Sequence, residues 1–114
     1  MIGFLGLSHL GLVSSIVMAA NGHSVVAYDP DQSLCISLSS GRFHVAEPGL
    51  MELYVQNKAQ IQFTSNPTFL TRCQVLYISA DVATDSEHLS DLGEVRELTK
   101  TVLENADSGT TVVV

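Results

Sequence analysis

Tryptophan is absent from this 114-residue chain, aromatic residues make up only 6% of it, and Lys and Arg together number five. Each scarcity excludes something. With so few aromatic rings the core must be built from Val, Ile, Leu and Ala, which suits an α/β domain whose parallel strands are buried on both faces and read as continuous apolar runs. Five basic residues against twelve acidic ones set the formal charge at −7. Nucleic acids and anionic membrane surfaces attract Lys and Arg clusters, so neither is expected as a partner. A phosphate bound by this chain would have to be held by backbone groups. The two cysteines, Cys35 and Cys73, have no ligand-like spacing to each other or to the four histidines. Buried free thiols in a reducing cytoplasm are the expected reading. No long apolar run or signal-type cleavage pattern occurs, because glycines, Ser8 and His9 interrupt the apolar N-terminal segment, and a soluble cytoplasmic protein is expected. The acidic run of Asp81, Asp85 and Glu87 has neither a second ligand cluster nor a strict spacing, so it reads as a solvated loop and no metal site is expected.

What is present is a hydrophobic share of 46% in a length that suits one domain. Its organising stretch is Ile2-Gly3-Phe4-Leu5-Gly6-Leu7-Ser8-His9-Leu10-Gly11, an apolar strand that breaks into a glycine-bracketed turn and enters an apolar helix ending near Ala20. In a dinucleotide-binding turn the first glycine makes the tight turn, the second admits a pyrophosphate, and the third lets the helix pack on the strand. Gly6 and Gly11 fill the first and third places, and Ser8 stands in the second. The helix start aims its unpaired N–H groups and positive dipole end at the turn, which makes an anion site without a basic side chain. Asn21-Gly22 stops the helix, Ser24 to Tyr28 reads as a second strand, and Asp29 ends it, about 20 residues on, where a ribose-binding acid is expected. An acid there accepts the 2′-OH of NAD and repels the 2′-phosphate of NADP, and Asp31 adds to the repulsion. NAD is the cofactor this pattern favours. A short glycine motif alone also arises from close strand-to-helix packing; the flanking strand, helix and acid are what raise the cofactor reading above it.

Further on, Leu34, Cys35 and Leu38 have helical spacing in a segment from Gln32 to Ser40 that stops at Gly41. Glu47-Pro48-Gly49-Leu50 introduces a short helix to about Asn57, with Pro48 in its first turn and Leu50, Met51, Leu53, Tyr54 and Val55 as its buried side. Ile61-Gln62-Phe63 is a short strand, Thr68 to Thr71 a brief helix, and Val75 to Ile78 an apolar strand. After a polar stretch, Leu92, Val95, Leu98, Val102 and Leu103 mark the apolar face of a helix from Asp91 to Asn105, and Thr110 to Val114 is a last strand within which the chain stops. Alternating strands and helices imply a Rossmann-type, doubly wound parallel sheet with right-handed crossovers, in the order 3-2-1-4-5. Ligands then bind beyond the strands' carboxyl ends where the order reverses, between the first and fourth strands. An apolar final strand with no following helix or further sheet neighbour leaves an edge or apolar face that is expected to seek a partner, hence a homodimer.

The Gly6–Gly11 turn, the segment Gly22-His23-Ser24-Val25-Val26-Ala27-Tyr28-Asp29, the string Glu47-Pro48-Gly49-Leu50 and the Asp91-Leu92 helix start together resemble the N-terminal NAD-binding domain of the UDP-glucose/GDP-mannose dehydrogenase family. The similarity spans essentially the whole chain. It implies NAD held by Gly6, Leu7, Ser8, His9, Leu10, Gly11, Asp29 and Pro30, with Thr84 standing for the threonine of the family's V-P-T-P loop, here Val82-Ala83-Thr84-Asp85. It also implies that a longer relative oxidises the C6 alcohol of a nucleotide sugar to a carboxylate through a thio-adduct on a cysteine. That cysteine and the sugar-binding domains belong to later sequence in the family, so no catalytic residue is assigned here and the chain alone is expected to be inactive. Two departures bear on the cofactor: Ser8 replaces the central glycine, and Leu34 stands where a basic residue is common. A module whose site has degenerated, serving packing or association, is therefore the second reading, and the NAD(P) domain of a β-hydroxyacid-type dehydrogenase, which lacks the Glu47–Leu50 string, is the third. His9, His23, His44 and His88 read as surface residues. Glu47 either shapes the crevice or favours the positive end of the helix beside it.

Overall fold

Apolar strands of three or four residues separated by helices fix the architecture, because the central strands must be covered on both faces. The protein is described here by a computed structural model covering residues 1–79 and 93–113, with the side chain of Glu94 left aside. The strands are β1 (Ile2–Leu5), β2 (Val25–Tyr28), β3 (Ile61–Thr64), β4 (Val75–Ile78) and β5 (Thr111–Val113), and the helices are α1 (His9–Ala20), α2 (Gln32–Ser39), α3 (Leu50–Asn57) and α4 (Gly93–Asn105). A 3-10 segment, Pro67–Arg72, carries the return from β3 to β4. All pairings are parallel and the order is β3-β2-β1-β4-β5, the one predicted from the sequence. In register, Leu5 lies beside Tyr28 on one side and Ile78 on the other, so three strand ends finish level with the turn that follows β1.

Side-chain alternation splits the core into two layers. Leu5, Val26, Tyr28 and Leu76 point to the face covered by α4 and the 3-10 segment, where they meet Leu70, Cys73, Leu98 and Val102. On the opposite face Ala27 packs with Leu12 and Ile16 of α1, Cys35 and Leu38 of α2, and Leu50 and Tyr54 of α3, while Phe4 and Val25 pack with Ala19. Tyr54 is held between the rings of Phe43 and Phe63, at centroid distances of 5.2 and 5.7 Å. Both cysteines are free and buried in these layers.

Two expectations of burial are corrected. Helix α3 starts at Leu50 with Gly49 as its N-cap, which leaves Pro48 in the preceding turn instead of the first helical one. Its buried side is Leu50 and Tyr54, whereas Met51 and Val55 are exposed, because an eight-residue helix laid along α1 offers one narrow stripe to the core. In α4, Leu98 and Val102 are buried but Leu103 is 79% exposed, since one step past Val102 is about 100° around the helix and turns the side chain away from the sheet.

Candidate cofactor site

The site is assembled where β1 ends. Gly6 takes φ +98°, a backbone conformation that a side chain would strain, and its N–H donates to the Tyr28 carbonyl at 2.9 Å. The chain can then reverse into α1 only because Gly11 has no side chain. A Cβ built on Gly11 would lie 1.8 Å from the Gly6 carbonyl oxygen and 3.3 Å from Ser79 Cβ. The first and third glycines of the motif thus touch each other, and both are buried.

Between them the chain presents unsatisfied donors. Ser8 is the N-cap of α1, yet its hydroxyl makes no capping bond, and the first turn contains no acidic residue. Ser8 Oγ is itself buried with no hydrogen-bond partner among the described residues. The first intrahelical bond runs from the Leu12 N–H to the Ser8 carbonyl at 3.0 Å. The earlier N–H groups of the helix have no side-chain cap, which is the arrangement that attracts anions.

Asp29 stands beside this turn and is only 8% exposed. Its Oδ2 accepts the Leu7 N–H and its Oδ1 accepts the Asp31 N–H, both at 2.9 Å. The carboxylate therefore ties the β1 turn to the start of α2, and each oxygen keeps a lone pair for a further donor. Asp31 in turn caps α2 by accepting the Leu34 N–H at 3.1 Å. Behind Asp29, the Cys35 thiol donates to its carbonyl at 3.5 Å, and burial pushes the Cys35 pKa up.

In front of Asp29 lies an open cleft of ≈ 580 Å³, walled by Leu7, Ser8 and His9 on one side and by Leu34, His44, Val45 and Ala46 on the other. Among the described residues no Lys or Arg lines it, so the donors it offers an anion are backbone N–H groups, the Ser8 hydroxyl and the His9 ring. The residues singled out in the sequence divide as follows. Leu7, Ser8, His9 and Asp29 share the cleft, and Gly6 and Gly11 form the turn beneath it. Leu10 is 57% exposed and faces a different groove, with Phe4, Val17 and Tyr77. Pro30 is exposed just beyond Asp29. Thr84, with the rest of the Val82–Asp85 string, and His88 lie outside the described residues.

Sequence reasoning did not assign His44, Val45 and Ala46 to the site. Nothing in their spacing signals it, since they enter the cleft through a loop whose path depends on how Phe43 packs on Tyr54. Glu47 reaches back across this loop, and its Oε1 lies 2.7 Å from His9 Nε2. His9 and Glu47 were read separately from the sequence; the fold makes them a pair.

Residues 1–114 match the model of the UDP-glucose/GDP-mannose dehydrogenase family, NAD binding domain. The chain belongs to this family. Among curated proteins it is 31% identical to the UDP-glucose 6-dehydrogenase of Rhizobium meliloti over 118 residues, covering 98% of this chain and 26% of that protein. Among solved structures it superposes on a UDP-D-ManNAc dehydrogenase from Pyrococcus horikoshii with a TM-score of 0.88 at 26% identity, covering 98% of this chain and 27% of that one. A UDP-glucose dehydrogenase from Pyrobaculum islandicum gives a TM-score of 0.80 at 27% identity, with coverages of 89% and 24%. The chain therefore spans about a quarter of the length of the relatives it matches. It is the NAD-binding domain of a nucleotide-sugar dehydrogenase family, and the family membership sets aside the β-hydroxyacid dehydrogenase reading.

Proposed function

We propose that this chain binds NAD in preference to NADP, with the adenosine half in the cleft in front of Asp29 and the pyrophosphate against the Gly6–Gly11 turn. The observation that carries the reading is the carboxylate of Asp29, buried, fixed by two backbone N–H groups and still able to accept from a ribose hydroxyl. The unpartnered Ser8 hydroxyl and the uncapped start of α1 supply donors for a diphosphate, and Gly11 leaves the turn tight enough to present them. Leu7, Ser8, His9 and Asp29 line the proposed NAD cleft over Gly6 and Gly11, Leu10 and Pro30 flank it, and Thr84 is proposed as a further NAD-binding residue from the family resemblance.

NAD supplies the hydride acceptor for oxidation of a sugar alcohol. In this chain the residues bind and orient; none is proposed to act on the sugar. Oxidation of the C6 alcohol of a nucleotide sugar to a carboxylate is proposed only together with the further domains that relatives carry. A cytoplasmic setting is proposed from the two free thiols. A homodimer is proposed from Val112 and Val113, which are about 40% exposed on strand β5. Light scattering that finds a monomer at high concentration would remove the dimer from the proposal.

Calorimetric titration of the chain with NAD and NADP, repeated on Asp29→Ala, tests the cofactor reading. NAD should bind more tightly than NADP, and the variant should lose most of the NAD affinity. Equal or tighter binding of NADP would refute it. The second reading, a module whose site has degenerated, is favoured by Ser8 in the place of the central glycine, and it predicts no binding of either nucleotide.

A further inference from the structure

The outer wall of the cleft is an irregular segment, residues 42–49, between α2 and α3. Its first N–H, of Arg42, bonds to the Ser37 carbonyl at 2.9 Å, and the next backbone bond is from Leu50 to the Glu47 carbonyl at 3.2 Å. Among the described residues no backbone N–H from Phe43 to Gly49 is bonded. A segment without a ladder is placed by its side chains, and otherwise sits at the low-stability end of a structure. Phe43 and Val45 pack on the α1–α3 layer. His44, Val45 and Ala46 line the cleft. Beyond them, the side-chain anchor on the cleft side is Glu47, 2.7 Å from His9 on the first turn of α1. The two side chains are 40% and 56% exposed and are close enough for a hydrogen-bonded ion pair across the mouth.

We propose that Glu47 is a positioning residue for the cofactor: through His9 it straps the 42–49 segment over the start of α1 and so forms the adenosine wall without contacting the nucleotide. The inference rests on the NAD reading above. It separates from the bland alternative by sign. A carboxylate that was merely a surface charge near a diphosphate would repel it, so its removal would tighten binding. Loss of a strap weakens binding instead, because the wall must then be ordered when the nucleotide arrives.

The test uses Glu47→Ala, Glu47→Gln and His9→Ala, titrated with NAD and with ADP-ribose, together with backbone NMR order parameters of Val45, Ala46 and Glu47 in the unliganded chain. Glu47→Ala should weaken NAD and ADP-ribose by the same factor, about two- to fivefold for an exposed pair of this kind. Gln, which still accepts the His9 N–H, should recover most of that loss. The three order parameters should fall in Glu47→Ala and His9→Ala, reporting faster local motion on the ps–ns scale. Unchanged or tighter binding by Glu47→Ala overturns the proposal. So does weaker binding with unchanged order parameters, which would make Glu47 a direct contact, or lower order parameters with unchanged affinity. Should the wild-type chain bind no NAD at all, the cofactor reading fails, and the order parameters alone judge the strap: a fall in Glu47→Ala supports it and equality overturns it.

Discussion

Replacing Gly11 by Ala tests the central claim about the turn, that two glycines are in contact because nothing larger fits. A Cβ at this position would sit 1.8 Å from the Gly6 carbonyl oxygen. Ordinary contact between carbon and a carbonyl oxygen is about 3.3–3.6 Å, so helix and turn must separate by about 1.5 Å, the difference between the two. The obstructing atom is backbone, held by the bond from the Gly6 N–H to Tyr28, and cannot rotate away as a side-chain tip could. Forced overpacking costs about 1–3 kcal/mol and at times more, while Gly to Ala in a helix returns at most about 1 kcal/mol. With a backbone atom in the way the upper end applies, and a net loss of about 2 kcal/mol is expected. Urea unfolding followed by far-ultraviolet circular dichroism measures it. Gly109→Ala is the control, since a Cβ there would meet nothing within 4 Å. If Gly11→Ala were as stable as the Gly109→Ala control, the close approach would not exist as described and the anion turn would lose its basis.

Other expectations follow from the same geometry. Ser8→Ala should raise stability by about 1 kcal/mol, against the usual loss at an N-cap, because the hydroxyl caps nothing and is buried unpaired; calorimetry should show the same variant binding NAD more weakly if the hydroxyl donates to the pyrophosphate. Leu98→Ala, at a site 1% exposed, should cost about 2–5 kcal/mol in urea unfolding, whereas Leu103→Ala, at a site 79% exposed, should stay within about 0.5 kcal/mol. Burial raises the pKa of Cys35 and Cys73 from an ordinary 9.0 and of Tyr28 and Tyr54 from 10.0. The unfolded chain therefore ionises these groups first as pH rises. Their contribution is complete below about pH 9 and is lost as pH climbs from there through the raised folded values; a urea midpoint that does not fall between pH 8.5 and 11 would contradict this.

The alternation of apolar strands with helical spacing was enough to predict the sheet order, because parallel strands with right-handed crossovers leave few alternatives. The Gly6–Gly11 turn and Asp29 were legible for a related reason: backbone geometry permits only certain residues there, so the sequence has to display them. Which residues of a helix face the core was less legible. Met51, Val55 and Leu103 fit an apolar stripe by spacing but are exposed, since the width of the stripe is set by the neighbouring helix or sheet and not by the period. The cleft wall of His44, Val45 and Ala46 had no signal, because an irregular segment has no periodicity to read. The pairing of His9 with Glu47, 38 positions apart, exists only once α3 lies along α1 and brings the loop before it back over the first turn. Sequence by itself thus determined the strand order and the chemistry of the turn, where local backbone constraints choose the residue. Tertiary packing alone decided the wall of the cleft and the approach of Glu47 to His9, because those depend on distances between segments that no local pattern encodes.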